Sequence, residues 1–315
     1  MILWNLPSNN VIWGLGALGM LLAIATISVY LIPAYQQPEL QQRMTSWCWI
    51  ITIFATTTLV NRSIAIALFG CLSFLAFKEY ISLIPTRLSD RRVLFWAYLA
   101  IAIQYYWISI HWYVMFLIFV PIYVFLFLPM RMVIAGETQG FLKAIGTLHW
   151  GLMLTVFSLG HLAYLLVLPD RGNPIAGSAG LMLYLVFLTE INDIAQYIWG
   201  KSIGRHPVTP TVSPNKTWEG LLGGICTTVV LAVAIAPFLT PFDWIHALGV
   251  GLLISSAGFV GDVTISALKR DLGVKDSGNL IPGHGGILDR IDSLTYTAPL
   301  FFHFTVYFYF QGIPV

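Results

Sequence analysis

Charged side chains are scarce in this chain of 315 residues. Aspartate, glutamate, lysine and arginine together make up 10% of the sequence, and residues with hydrophobic side chains make up 57%. Soluble globular domains are about one quarter charged. The shortage of charge therefore excludes an ordinary soluble domain and indicates an integral membrane protein.

Cysteine is rare as well. The three cysteines, Cys48, Cys71 and Cys226, lie in or beside apolar runs, and no two of them form a CxxC pair. This spacing indicates neither a disulfide framework nor a zinc site. We interpret all three as small, buried hydrophobic side chains.

The first part of the chain lacks positive charge. No lysine or arginine precedes Arg43, whereas a secretory signal peptide starts with a basic segment. We therefore expect the first apolar run to be a retained helix.

Long apolar runs recur from one end of the sequence to the other. A helix needs about 20 apolar residues to cross the hydrocarbon core of a bilayer, and these runs approach that length. They predict an all-α, polytopic integral membrane protein with about ten transmembrane helices. The candidate spans are residues 12–34, 47–61, 63–83, 93–110, 112–130, 146–168, 176–198, 218–238, 245–261 and 294–311.

The basic residues predict how these spans are oriented. When the loop that contains "PTRLSDRR" is placed in the cytoplasm, most lysines and arginines fall on the cytoplasmic side, and Arg62 and Arg171 fall on the opposite side. Cytoplasmic loops of membrane proteins carry an excess of Lys and Arg. We therefore expect both termini outside, and the loops within 189–220 and 261–293 in the cytoplasm.

Most acidic residues lie in the second half of the chain, between Glu190 and Asp292. We expect one integral unit, in which residues 1–175 form a hydrophobic transmembrane scaffold and residues 176–315 form a transmembrane half that carries the chemistry.

The segment "TVSPNKTWEG" has the features of a helix start. Ser213 followed by Pro214 is typical of an N-cap with proline at the first helical position. Free backbone N–H groups there, joined by Lys216 and Thr217, would bind an anion. The alternative is that Ser-Pro only interrupts a loop and that Lys216 reaches to the membrane surface.

Glu190 and Asp193 lie three positions apart near the end of a predicted span. Carboxylates at membrane depth are costly unless they face a polar cavity, a partner or a metal ion. A structural ion pair with Lys201 or Arg205 would also explain them, and the two readings stay open.

Residues 266–293 gather charges of both signs, together with five glycines. Asp262 and Asp289, brought to one polar site, would suit a hard divalent cation. Lysine and arginine side chains in the same stretch could neutralise phosphate oxygens, and glycines allow a close backbone approach. His284 could be a ligand, a general acid or base, or a hydrogen-bond donor to phosphate. The alternative is a solvated loop whose charges pair with each other.

The pattern from Ser266 to Asp292 resembles the signature of the phosphatidate cytidylyltransferase (CDP-diacylglycerol synthase) family. Ser-x-apolar-Lys-Arg is followed by Lys-Asp-x-Gly and then by Pro-x-His-Gly-Gly-apolar-x-Asp-Arg-apolar-Asp. "SPNKTWEG" resembles a second motif of that family, and Gly261-Asp262 resembles its metal-binding Gly-Asp pair. The matching positions are Ser266, Lys269, Arg270, Lys275, Asp276, Gly278, Pro282, His284, Gly285, Gly286, Asp289, Arg290 and Asp292.

The resemblance implies an enzyme of phospholipid biosynthesis that transfers CMP from CTP to phosphatidate, giving CDP-diacylglycerol and pyrophosphate. Its partners would be CTP, phosphatidate and the bilayer, with no nucleic acid, and a homodimer is compatible with it. The protein would lie in the bacterial inner membrane with its active site facing the cytoplasm.

The resemblance also implies roles for individual residues. Asp262 and Asp289 would hold Mg²⁺, with room for a second cation, and Lys216, Lys269, Arg270 and Arg290 would bind phosphate groups. Residues implied in catalysis are Asp262, Asp289, Lys269, Arg270 and His284. Residues implied in substrate binding are Ser213, Lys216, Thr217, Ser266, Lys275, Asp276, Arg290, Asp292 and Asp193.

Two departures from the family pattern affect the acceptor. Ile265 stands where many members carry an acidic residue, and "NDIAQY" stands where others often read D-T/S-x-A-Y. These departures indicate either a paralogue that uses another phosphorylated lipid or alcohol, or a shift of metal partners. A separate alternative is a non-catalytic lipid-binding or transport protein, since carboxylates such as Glu190 and Asp193 within the membrane could suit a transporter.

Overall fold

The structure is a computed structural model that describes residues 8–31, 37–84, 90–134, 136, 139–283 and 285–312. Within these residues, helices dominate. They are α1 (Asn9–Leu31), α2 (Pro38–Val60), α3 (Arg62–Ser82), α4 (Asp90–Ser109), α5 (Tyr113–Ile134), α6 (Phe141–Leu165), α7 (Gly177–Ile203), α8 (Trp218–Leu239), α9 (Trp244–Asp271), α10 (Leu288–Ile291) and α11 (Leu294–Tyr309).

Two of these helices contain π-helical turns. In α5 the turn spans Phe119–Val124 and includes Pro121, which has no backbone N–H to donate and interrupts regular α-helical hydrogen bonding. In α6 the turn spans Met153–Phe157.

Seven helices in the described part of the chain are long and apolar enough to cross a membrane: α1, α3, α5, α6, α7, α8 and α9. This confirms a helical membrane protein, but it does not confirm ten spans. The apolar part of α4, Val93–Ser109, and α11 with its 16 residues are shorter than the roughly 20 residues of a typical span. Helix α2 opens with the polar sequence "PELQQR".

Close packing positions α3 against α6. The Tyr80 side chain is buried, and its hydroxyl donates to the Thr147 carbonyl over 3.0 Å. A Cβ atom on Gly151 would lie 2.3 Å from the Tyr80 ring, so only glycine permits this contact. The end of α3 is thereby held against α6.

Helices α7 and α8 also meet through glycine. A Cβ atom on Gly224 would lie 2.4 Å from Cγ of Gln196, and one on Gly220 would lie 2.8 Å from the Gln196 carbonyl oxygen. At the other end of this helix pair, the Asn173 side-chain amide donates to the Leu239 carbonyl over 2.8 Å. The two helices are therefore antiparallel, and the end of α7 lies beside the start of α8.

A short hairpin between α7 and α8 departs from the predicted all-helical fold. Strands β1 (Pro207–Thr209) and β2 (Ser213–Thr217) pair antiparallel. The prediction that Ser213 caps a helix is therefore wrong, because Ser213 begins a strand. Thr217 caps α8 instead, and its hydroxyl accepts from the Gly220 amide over 3.2 Å.

The cysteines are free, but they are not buried as predicted. Cys71 and Cys226 are exposed and Cys48 is half-buried. The interpretation as core side chains is wrong because the thiols of Cys71 and Cys226 point away from the helix bundle, towards the surface that a bilayer would cover.

Candidate active site

A cavity of about 510 Å³ lies where the end of α7 meets the hairpin, the start of α8 and the second half of α9. Four of the residues predicted to form the site line this cavity: Asp193, Lys216, Thr217 and Asp262. They come from three segments that are far apart in sequence. The antiparallel arrangement of α7, α8 and α9 brings them together at one end of the bundle.

An ion pair between Lys216 and Asp262 forms part of the cavity wall. The Lys216 ammonium donates to Oδ2 of Asp262, and both side chains are largely buried. The ammonium also lies 5.1 Å from the centre of the Phe259 ring, within cation–π range. The second oxygen, Oδ1, accepts from the Ser266 hydroxyl over 3.3 Å. Asp262 therefore already binds a cationic group.

Asp193 has one oxygen with a partner and one without. Its Oδ2 accepts from the Ser293 hydroxyl over 2.8 Å, whereas Oδ1 is buried with no hydrogen-bond partner among the described residues. The predicted structural alternative, an ion pair with Lys201 or Arg205, is not found within that part of the chain. Lys201 instead contacts the hydroxyl and ring of Tyr197.

Asp292 adds a third carboxylate to this region. Burial, reinforced by the charges of Asp262 and Asp193, raises the pKa of the Asp292 carboxyl well above its usual value. The backbone at Asp292 lies close to α9 because Gly261 has no side chain. A Cβ atom on Gly261 would lie 2.5 Å from the Asp292 carbonyl oxygen. Carboxyl groups are thus concentrated between α7, α9 and the turn before α11.

Asp289 is bound on both oxygens. Oδ1 accepts from the Lys269 ammonium over 2.6 Å. Oδ2 accepts from the Ser277 amide and hydroxyl, each over 2.9 Å, and from the Gly286 amide over 3.2 Å. Burial pushes the pKa of the Asp289 carboxyl up, but these hydrogen bonds outweigh it, so its pKa lies below its usual value. Asp289 is therefore an ionised group at neutral pH.

The remaining predicted residues lie around these two centres. Arg270 donates to the carbonyls of Val212 and Val274 over 3.2 and 3.3 Å, which ties the hairpin to the end of α9. Ser213 is half-buried at the start of β2, while Lys275, Asp276 and Arg290 are exposed. His284 lies outside the described residues, so its predicted role stays a prediction.

Sequence reasoning missed Glu79 near the end of α3. Its carboxylate accepts from the Ser277 hydroxyl and from the backbone amides of Ile287 and Leu288, over 2.9 and 3.0 Å for the amides. A Cβ atom on Gly286 would lie 2.0 Å from Oε1 of Glu79. The signal was available, because an acidic residue inside an apolar span is costly unless it has a specific partner.

Two residues of α2 also contact the signature loop, which is the segment 272–287 between α9 and α10. The Arg43 side chain donates to the Gly283 carbonyl over 3.0 Å, and the Ser46 hydroxyl donates to the Pro282 carbonyl over 2.7 Å. No local sequence pattern links α2 to a loop more than 200 positions away. The predicted scaffold half therefore contacts the signature loop directly.

The chemistry of the donors fits a magnesium ion. No group of three His, Cys, Asp or Glu side chains that could hold a metal is found in the described part of the chain. Mg²⁺, however, commonly uses one or two carboxylates together with water and substrate phosphates. Asp262 and Asp289 each hold a lysine ammonium, so each already accepts positive charge. That one ion joins both aspartates stays a prediction.

Comparison with known proteins defines the family. The model of the cytidylyltransferase family matches residues 41–308. The chain is 45% identical over 297 residues to the uncharacterized protein YnbB of Escherichia coli, and the match covers 93% of this chain and 97% of YnbB.

Proteins named phosphatidate cytidylyltransferase match a shorter part of the chain. Identity is 43% over 122 residues with the protein of Staphylococcus aureus and 44% over 135 residues with that of Haemophilus influenzae. These matches cover 38% and 41% of this chain, and 46% of each relative. The family match and the full-length relative together show that the chain belongs to the cytidylyltransferase family.

Proposed function

We propose that the protein transfers CMP from CTP to the phosphate of a membrane lipid, with phosphatidate as the first acceptor to test. The observation that carries this proposal is the pair of Lys–Asp contacts, Lys216 with Asp262 and Lys269 with Asp289. Each contact places an ammonium group, which can bind phosphate, beside a carboxylate, which can bind a metal cation. The names of the S. aureus and H. influenzae relatives support phosphatidate as acceptor.

In this reaction an oxygen of the acceptor phosphate attacks the α-phosphorus of CTP. The bond between the α-phosphorus and the bridging oxygen to the β-phosphate breaks, and pyrophosphate leaves. The attacking phosphate is already ionised at neutral pH, so no general base is required. The protein has to bring two anions together, and such transfers depend mainly on positioning and electrostatic stabilisation.

Lys216 and Lys269 are suited to neutralise these phosphates. Each ammonium is held by an aspartate. Asp262 and Asp289 would hold Mg²⁺, which when bound supplies positive charge to the phosphate oxygens of CTP. Each lysine is then free to turn from its aspartate towards a phosphate, and Ser266 and Thr217 lie close enough to the first pair to donate further hydrogen bonds.

The position of the cavity suits a lipid acceptor. It lies at one end of the helix bundle, where the exposed Tyr197 and Lys201 border it. If the helices cross a bilayer, this end would lie at the level of the lipid phosphates, where a soluble nucleotide would arrive from water. The excess of basic residues on this side supports the cytoplasmic face of a bacterial inner membrane as the location.

A second acceptor class is favoured by one observation. Ile265 is fully buried, in the hydrophobic core, at a position where the family often has an acidic residue. The paralogue alternative, with another phosphorylated lipid or alcohol as acceptor, therefore stands beside phosphatidate. A non-catalytic transport or lipid-binding role is the alternative to both.

The test uses purified full-length protein in detergent with Mg²⁺, CTP labelled at its α-phosphate, and phosphatidate. Label in the lipid fraction, lost in the Asp289→Asn variant, is the expected result. Labelled lipid from a panel of other phosphorylated lipids, but not from phosphatidate, would identify a paralogue. Binding of CTP without transfer to any lipid would contradict the proposal.

A further inference from the structure

The cavity contains two buried polar atoms that nothing in the described structure satisfies. One is Oδ1 of Asp193 and the other is the side-chain nitrogen of Gln196. The two residues are three positions apart on α7 and therefore share one face of the helix. Buried polar groups in folded proteins are nearly always hydrogen-bonded, so two of them in one cavity point to a ligand.

Packing holds the Gln196 side chain in place. Only 9% of the residue is exposed, and Gly224 of α8 lies directly against its Cγ atom. Any side chain at position 224 would collide with Gln196. The amide is thus held in the wall of the cavity.

Gln196 is also where this chain differs from the family motif. The pattern D-T/S-x-A-Y has alanine directly before tyrosine, and here Gln196 precedes Tyr197. Alanine neither donates nor accepts a side-chain hydrogen bond, whereas an unpaired buried amide destabilises the protein. A substrate group that pairs with Gln196 removes this penalty. Because CTP is the donor common to the family, the additional group belongs on the acceptor.

We propose that Asp193 and Gln196 together bind a hydroxyl group of the acceptor, so that the preferred acceptor is a phosphorylated lipid with a free hydroxyl near its phosphate. A hydroxyl donates one hydrogen bond and accepts others, so it can donate to Oδ1 of Asp193 and accept from Gln196. Gln196 is then the specificity-determining residue. This inference rests on the proposed CMP transfer and names the acceptor class for it.

The experiment compares acceptors that differ by one hydroxyl. Full-length protein is assayed with lysophosphatidate and with phosphatidylglycerol phosphate, each beside its 2-deoxy analogue, and with phosphatidate. We expect kcat/KM for at least one hydroxylated lipid to exceed that for its deoxy analogue by about tenfold or more, since a site built for a hydroxyl rejects a substrate without one. The two lipids distinguish a hydroxyl in the glycerol backbone from one in the headgroup.

Variants at the site provide the second part of the test. Gln196→Met keeps the length of the side chain but loses its donor, and it is expected to bring the ratio between hydroxylated and deoxy acceptors close to one. Gly224→Ala, which displaces Gln196, should act in the same direction. Ile198→Ala on the exposed side of α7 is the matched control, and unfolding temperatures in detergent identify any variant that fails to fold.

The outcomes separate this inference from the proposed function. Equal use of hydroxylated and deoxy lipids by the wild type, or unchanged selectivity in Gln196→Met, would overturn the hydroxyl site while CMP transfer stands. Discrimination between CTP and 2′- or 3′-deoxy-CTP that Gln196→Met abolishes would move the hydroxyl to the ribose and overturn the acceptor assignment. No transfer to any phosphorylated lipid would overturn the proposed function itself.

Discussion

The carboxylate of Glu79 accepts a hydrogen bond from the hydroxyl of Ser277, across 198 positions of sequence. The same hydroxyl lies 2.9 Å from Oδ2 of Asp289, whose other oxygen holds the ammonium of Lys269. A continuous set of hydrogen bonds thus leads from a helix of the N-terminal half to one of the two predicted metal ligands. Glu79 is a positioning residue in this arrangement, because it acts on the site through other groups.

Replacement of Glu79 by Gln should impair transfer more than nucleotide binding. Glutamine offers one carbonyl oxygen where the carboxylate offers two, so at least one of the amides of Ile287 and Leu288 would lose its acceptor. An unsatisfied buried donor costs about 1–3 kcal/mol. We expect kcat to fall at least tenfold with little change in KM for CTP, as measured by the transfer assay.

Two further variants separate positioning from general stability. Lys78→Gln alters the neighbouring, exposed charge and should retain activity. Glu79→Asp keeps both oxygens and should recover part of the lost kcat. If Glu79→Gln lowered the unfolding temperature without changing kcat in the folded fraction, Glu79 would have only a structural role.

Gly286→Ala should abolish activity because the added Cβ atom would lie 2.0 Å from the Glu79 carboxylate and 2.3 Å from the Ser277 hydroxyl. Glu79 cannot move without losing its contacts to Ser277, Ile287 and Leu288, and Ser277 cannot move without losing its contacts to Asp289. The control is Gly249→Ala on α9, where a Cβ atom would meet nothing within 4 Å. This helical glycine should tolerate alanine or gain about 0.5–1 kcal/mol of stability. Equal activity of both variants would show that the contact at Gly286 is not required.

The pH dependence of stability should reveal the carboxylate cluster around Asp292. A pKa raised in the folded state means that the folded protein binds the proton more tightly than the unfolded chain. The metal-free protein should therefore gain stability as pH falls through this raised pKa towards the unfolded value of about 3.9. Asp292→Asn removes the charge and should raise the unfolding temperature at pH 7.5, measured in EDTA, while it lowers transfer activity.

The exposed Asp276→Asn serves as the control for that experiment, since its charge lies in water. It should leave the pH dependence unchanged. The same unfolding temperature for Asp292→Asn and wild type at pH 7.5 would show that the cluster carries no electrostatic penalty.

Removal of magnesium with EDTA should abolish transfer, and added Mg²⁺ should restore it. If Asp262 and Asp289 share one ion, each Asn variant should weaken Mn²⁺ binding by a similar factor, as followed by electron paramagnetic resonance. Weakening by Asp262→Asn alone would assign Asp289 to holding Lys269 and would contradict the shared site. Asp271→Asn, which removes an exposed carboxylate at the end of α9, is the control for a general loss of negative charge.

The sequence by itself determined the fold class and the family of this protein. Runs of apolar residues predicted a helical membrane protein, because apolar side chains over a full span are incompatible with water. The charged stretch predicted a metal site at Asp262 and Asp289 and offered pairing between its charges only as the alternative; Lys269 does pair with Asp289, and the metal site stays a prediction. The positions of charged residues and glycines along the chain are local features, so they can be read directly from the sequence.

Only the tertiary structure decided which distant groups meet. Ser213 begins a strand and not a helix because the hairpin pairs it with Thr209, a contact that no local propensity reports. Glu79 reaches the signature loop because Gly151 and Gly286 permit close packing on two sides. The side-chain nitrogen of Gln196 has no partner among the described residues, where Gly224 of α8 packs against this side chain. Such contacts depend on how helices dock, and docking is a property of the whole packed bundle.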